Sequence, residues 1–259
     1  STSLGLNQDQ QFLNCCFEVV KNPVSGNATF YVSKRPGWTQ SQLVASGQPS
    51  TGLIKTDLIA GIVSAFGATN STIYDGTTSV GTITGEAMHF HQTSLGGTGY
   101  VMIRSSDGTG WYYAADAKTN LTYTADGNNS TTITDIKISG VNNTAGLYSG
   151  QKPTAASNGI TGSRIVSVDA AAFTAVLDNA TTGGAFNDLS ITKEPIAKII
   201  SANFVTTGTN KSGFTDLNGF LLYVSEDGYI YNSNINTVHL YNAMDKMPVN
   251  ISPDLPYVI

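Results

Sequence analysis

The chain has 259 residues, of which 13 are basic and 18 acidic, for a formal net charge of -5. Only 12% are charged, while Ser, Thr, Asn and Gly make up about two-fifths of the chain. The low charge argues against long solvated helices, the lack of a basic excess against a nucleic-acid binder, and the 40% hydrophobic and 9% aromatic residues against a disordered polymer.

In chain order, residues 1–50 read as a polar strand-and-strap segment belonging to the same fold as the rest, and 51–259 as a succession of short β repeats. Residues 1–11 lack the charged-then-apolar pattern of a secretory signal, and no apolar run approaches the roughly 18 residues of a membrane span. A soluble chain is expected. The adjacent Cys15 and Cys16 do not suit a loop-closing disulfide with each other, and on a strand they point to opposite faces as small packing groups. Runs rich in Val, Ile, Tyr, Phe and Thr predict strands over 28–33, 58–66, 71–74, 99–104, 110–115 and 131–138. Further strands are predicted over 164–168, 172–177, 196–205, 220–224 and 229–231. Helix signals are weak, and the best candidate, 170–177, is short. Turn chemistry agrees at Asp75-Gly76, Asp107-Gly108, Asp126-Gly127, Asn158-Gly159, Asn218-Gly219 and Asp227-Gly228. Residues 128–130, 141–157 and 180–190 read as surface loops.

Three units, 58–83, 99–123 and 196–231, each read as an antiparallel meander. The expected fold class is therefore all-β, with β-propeller-like blades, an incomplete propeller included, and a β-sandwich as the alternative.

Two segments carry a resemblance. The first runs from Gln10 through Asn14-Cys15-Cys16-Phe17 and a turn at 22–27 to Phe30-Tyr31-Val32-Ser33-Lys34-Arg35-Pro36-Gly37-Trp38. The second is Gly219-Phe220-Leu221-Leu222-Tyr223-Val224 followed by Asp227-Gly228-Tyr229-Ile230-Tyr231 and a Pro253-Asp254 turn. Together they resemble tail and head-closure proteins of short-tailed bacteriophages, of the packaged-DNA stabilisation, tail-hub or nozzle type. The chain is shorter than such proteins usually are. The resemblance implies a structural virion protein of the neck or tail, assembling as a ring around the DNA path with copies of itself and other tail or portal-proximal proteins. No catalytic residue, metal or cofactor carries over, and no membrane association is implied.

Candidate sites are few. Trp111-Tyr112-Tyr113, with Trp38, Tyr229, Tyr231 and Tyr241, offers a stacking platform for sugar or partner, or else packing between blades. Lys34 and Arg35, the one basic pair, are a candidate contact with passing DNA or with a partner. His89 and His91 share a strand face with Glu86 near in sequence, yet no third ligand completes a metal set. Nucleophile elbows and phosphate loops are absent from the sequence. A carbohydrate- or receptor-binding tail module and a polysaccharide-degrading glycosidase are the alternatives to the assembly role.

Overall fold

Period-two alternation sorts the side chains of the strands between opposite faces, and three stacked layers result. The computed structural model describes residues 15–21, 28–34, 50–56, 64–117, 121–155, 160, 162–182, 185–206, 213–225, 229–244 and 246–248. The chain divides into two units, Ser1–Ser41 and Gln42–Ile259. In the first, β1 (Cys15–Lys21) and β2 (Ala28–Lys34) form an antiparallel pair with Cys15 opposite Lys34.

The second unit opens with a four-stranded meander of β3 (Ser50–Thr56), β4 (Ser64–Thr69), β5 (Thr72–Asp75) and β6 (Thr78–Thr82). The central sheet follows: β7 (Ala87–Leu95), β8 (Thr98–Ser105), β9 (Gly110–Ala114), β10 (Thr122–Asn128) and β11 (Thr132–Ile138). It continues with β12 (Val141–Asn142), β13 (Gln151–Ala155), β14 (Ile165–Asp169), β15 (Thr174–Leu177) and β16 (Ala185–Lys198). A last meander comprises β17 (Phe214–Leu217), β18 (Phe220–Val224), β19 (Tyr229–Asn232) and β20 (Lys246–Pro248).

The layers are fixed by which residues turn which way. From β8 and β9, Val101, Ile103, Trp111 and Tyr113 pack with Ala68, Ile73 and Val80 of the first meander. The intervening Tyr100, Met102, Tyr112 and Ala114 pack with Leu221, Tyr223 and Tyr231 of the last. Both faces of the middle layer are thus covered, and β9 is buried at every position. Each large aliphatic side chain so enclosed stabilises the fold by about 1.5–3 kcal/mol. A separate core of Tyr123, Ile133, Ile136, Ile165, Leu177 and Ile191 lies under the other half of the central sheet.

Strand β16 joins the two halves. Ala197 pairs with Tyr112 of β9 and with Gln151 of β13, so those strands occupy opposite edges. Thr192 likewise pairs with Thr122 of β10 and Thr154 of β13. Strands β9 and β10 therefore lie in line along one edge of β16, separated by the tight helical turn Ala115–Ala117. Pro195 of β16 sits between their pairings, where its missing N–H interrupts neither ladder.

The chain is all-β and antiparallel in every described pairing, as expected. Several finer expectations are corrected. Residues 99–123 do not form one meander, because β10 continues the line of β9 instead of lying beside it. Of 196–205, only 196–198 are strand; the chain then leaves the sheet and sends Ile199 and Phe204 into the core. Residues 185–190, expected as loop, are the start of β16, and Asp126-Gly127 is an irregularity inside β10 instead of a turn. The strand expected over 172–177 forms over 174–177, after a turn at 170–173, and the weak helix candidate there does not form. Pairing does not close any of the described sheets into a ring. Of the other turns, Asn218-Gly219 (φ 51° and 87°) forms the two-residue hairpin between β17 and β18, while 158–159 and 227–228 lie outside the described residues.

Candidate functional site

Trp111, Tyr112 and Tyr113 are all at most 1% exposed, which removes them as an open stacking platform. Packing is their role. Tyr112 donates its hydroxyl to the Ser149 carbonyl, and Tyr113 donates to Asp75 at 3.2 Å. The Arg164 guanidinium lies 5.1 Å from the centre of the Trp111 ring. The cue was in the sequence, since Gly-Trp-Tyr-Tyr-Ala does not alternate with polar residues and so suits a strand covered on both faces. Tyr231 and Tyr241 are buried as well, whereas Tyr229 is half-buried beneath the Lys246 ammonium, 4.4 Å from its ring centre. Lys34 ends β2, while Arg35 and Trp38 lie outside the described residues. His91 shares a 2.7 Å hydrogen bond with Asp216, and His89 lies beside Gly213. Among the described residues no three metal-ligating side chains converge.

A different constellation forms where β9 ends. The turn Ala115–Ala117 buries its two alanines and leaves Asp116 exposed. Facing it is the loop 142–150, whose Tyr148 hydroxyl donates to Asp116 Oδ1 at 2.5 Å. Three buried polar side chains hold the turn and the loop in place. Lys193 of β16 donates to the Ala117 carbonyl at 2.9 Å. Gln151 accepts from the Tyr148 amide at 2.7 Å and donates to the Gly146 carbonyl at 3.2 Å. Tyr123 donates to the Ala145 carbonyl at 2.8 Å. Glycine is required at 146, where φ is 79° and a Cβ would stand 3.3 Å from both the Asp116 carbonyl and the Tyr123 hydroxyl.

Burial sets the electrostatics here. It brings the Lys193 ammonium down to about 8, with Asp116 opposing the shift. The Tyr148 and Tyr123 phenols are pushed up by burial first and by the Asp116 carboxylate second. His239, stacked on Tyr112 at 5.8 Å and 15°, is lowered by burial.

Two cavities open at this place. One of about 490 Å³ is lined by Asp116, Asn142, Asn143, Thr144, Tyr148 and Phe173, among others. The second, about 360 Å³, is lined by Ser167, His239 and Leu240 and shares Leu147, Tyr148 and Val168 with the first. Among the described residues Asp116 is the sole carboxylate lining them, so these residues do not present the paired acids of a glycosidase.

A third cavity, about 330 Å³, lies on the outer side of the last meander between Leu217, Asn218, Phe220, Leu222 and Asn232. None of these five is charged. Leu217 is 58% exposed, and Ile235 close in sequence equally so.

Sequence reasoning missed Asp116 and Tyr148, which stand 32 positions apart in no motif. The fold thus defines an all-β protein of three stacked antiparallel layers with a polar, aromatic-edged groove on one half. Comparison with protein-family models, with curated proteins and with solved structures returned no match.

Proposed function

We propose that the chain is a structural subunit of a tailed-phage particle, placed in the neck or tail as hub, nozzle or head-closure layer and acting by assembly instead of catalysis. The virion class rests on the resemblance carried by residues 10–38 and 219–254. The assembly role rests on one observation: the stack of sheets ends on an apolar face. In β18, Leu221 and Tyr223 turn into the core, while Phe220 and Leu222 border the outer groove beside Leu217. A face of this kind, uncharged among the described residues that line the groove, suits a subunit interface.

The occupant proposed is a second copy of this chain, in a head-to-tail contact that closes a ring around the DNA path. Stacked meanders are also what propeller blades present locally, and the propeller-like reading, completed by neighbouring subunits, belongs to the same proposal. Lys34 and Arg35 remain its candidate contacts with passing DNA or with other tail and portal-proximal proteins.

Light scattering and native mass spectrometry test the proposal. The expected result is one oligomer of fixed stoichiometry, which Leu222→Asp reduces to monomer while leaving thermal unfolding of the monomer intact. A wild-type chain that is monomeric at about 100 µM, together with no ring of this chain in images of the particle, would overturn it.

A further inference from the structure

We infer that the groove between Asp116, Tyr148 and Phe173 is a binding site for a short neutral oligosaccharide. This goes beyond the assembly reading and does not depend on it.

The groove has the size of a ligand site. Its two cavities meet at Tyr148, and each falls within the roughly 300–1,000 Å³ of small-molecule pockets. A ligand running past Tyr148 would occupy both, which favours an oligomer of rings over a single one.

The walls are built and not incidental. Lys193, Gln151 and Tyr123, each at most 1% exposed, direct hydrogen bonds to the turn 115–117 or the loop 142–150. Buried polar groups are costly unless satisfied, and here satisfying them fixes the turn and the loop that together form one wall of the groove. Phe173, on the opposite wall, is held at φ 55°, a left-handed conformation that bulky side chains rarely adopt. Its carbonyl accepts from the Ile136 amide at 3.1 Å, which ties the strained residue to β11.

The lining chooses the ligand class. Among the described residues it contains no lysine or arginine, and Asp116 repels phosphate, sulfate and carboxylate groups. Tyr148 occupies Asp116 Oδ1, and Oδ2 is the atom offered to a ligand hydroxyl. The Asn142 and Asn143 amides can donate and accept at neighbouring hydroxyls, as can Thr144. Phe173 and Val168 supply apolar area for the C–H face of a ring. Alternating hydroxyl and C–H surfaces on an uncharged ring answer all of these features together.

Saturation-transfer NMR on the ligand tests the inference with the full chain in whatever oligomeric state it adopts. The probes are maltohexaose, cellohexaose, mannohexaose and chitotetraose, with polysialic acid and inorganic phosphate as anionic comparators. At least one neutral probe is expected to bind with a dissociation constant of about 1 mM or tighter, and to slow hydrogen exchange in peptides covering 142–150 and 166–173. Asp116→Ala should weaken that binding at least about tenfold, and Asp116→Asn less, since the amide keeps one acceptor oxygen. No signal from any neutral probe at about 10 mM would overturn the inference. So would equal binding of the anionic comparators, or full affinity in Asp116→Ala. The wild-type titration decides even where a variant fails to fold. Failure here leaves the oligomer measurements untouched.

Discussion

Lys193 shows what a single buried ammonium does to the whole chain. Its proton is held with a pKa of about 8 in the folded state, against an ordinary value of 10.5. Between those values the unfolded chain binds more protons, so stability rises with pH, by about 3 kcal/mol for a shift of this size. Above roughly pH 10 the slope reverses. There the phenols of Tyr112, Tyr123 and Tyr148, all raised by burial, keep protons that the unfolded chain has lost. Thermal melting from pH 7 to 11 is therefore expected to peak at roughly pH 9–10. Lys193→Met should flatten the ascending limb, and parallel curves for the two proteins would refute this account. Arg104 is a second buried cation, lying 4.9 Å from the Phe204 ring centre and 4.8 Å from that of Tyr223. Its Nη2 donates to the Val205 carbonyl at 3.3 Å, while Nε and Nη1 have no hydrogen-bond partner among the described residues. The rings stand in for the missing acceptors. Neither cation was legible in the sequence, where each is one polar residue on a strand and only tertiary packing encloses it.

Elements differ in how far their own residues determine them. Asn218-Gly219 specifies its hairpin locally, because both positions need positive φ and both residues tolerate it. Strand β16 is the opposite case. Its first half contains Asn187, Asp188 and Ser190, a loop composition, and becomes strand because β10 pairs with it over 185–192, with β13 joining from 191 on the other edge. In β10, Gly127 sits where a Cβ would meet the Thr181 hydroxyl at 3.1 Å, so the glycine serves close packing and not the turn it suggested. The candidate groove was hidden for a related reason, as its walls come from a three-residue turn and a loop without a local signature. Glycine dependence can be measured. At Gly150, φ is 84° and a Cβ would collide with the Lys198 carbonyl, whereas at Gly97, φ 83°, nothing lies within 4 Å. Gly97→Ala should cost only about 1 kcal/mol of backbone strain in chemical denaturation. Gly150→Ala should cost about 2–4 kcal/mol, because the start of β13 must move off β16. Equal costs at the two sites would sink this distinction.

At the scale of the molecule, the middle layer is where stability concentrates. Strands β8 and β9 are enclosed by sheets on both sides, so their amides should exchange most slowly, at the free energy of global unfolding. Trp111→Ala, which empties the centre of one interface, is expected to cost about 3–5 kcal/mol and to speed exchange across both neighbouring meanders. Exchange accelerated in β9 alone would mean that the layers do not share one core. The all-β class and most strand positions were legible from alternation and turn residues. The stacking order was not, since a run such as Gly-Trp-Tyr-Tyr-Ala announces double coverage without saying which strands provide it.

The position of β16 also orders events during synthesis. On the ribosome, β9 and β10 emerge roughly 60–85 residues before the strand against which both lie, and the sheet that covers Tyr100, Met102 and Tyr112 follows later still. Until Lys198 has left the exit tunnel, these two strands present one bare edge to every other nascent chain nearby, and the β9 face that the first meander does not cover stays open until the last meander follows. Loops of such length also close slowly, so the vulnerable interval outlasts the emergence of β16 itself. Overproduction at low temperature, where translation slows and apolar association weakens, should therefore raise the soluble yield of this chain.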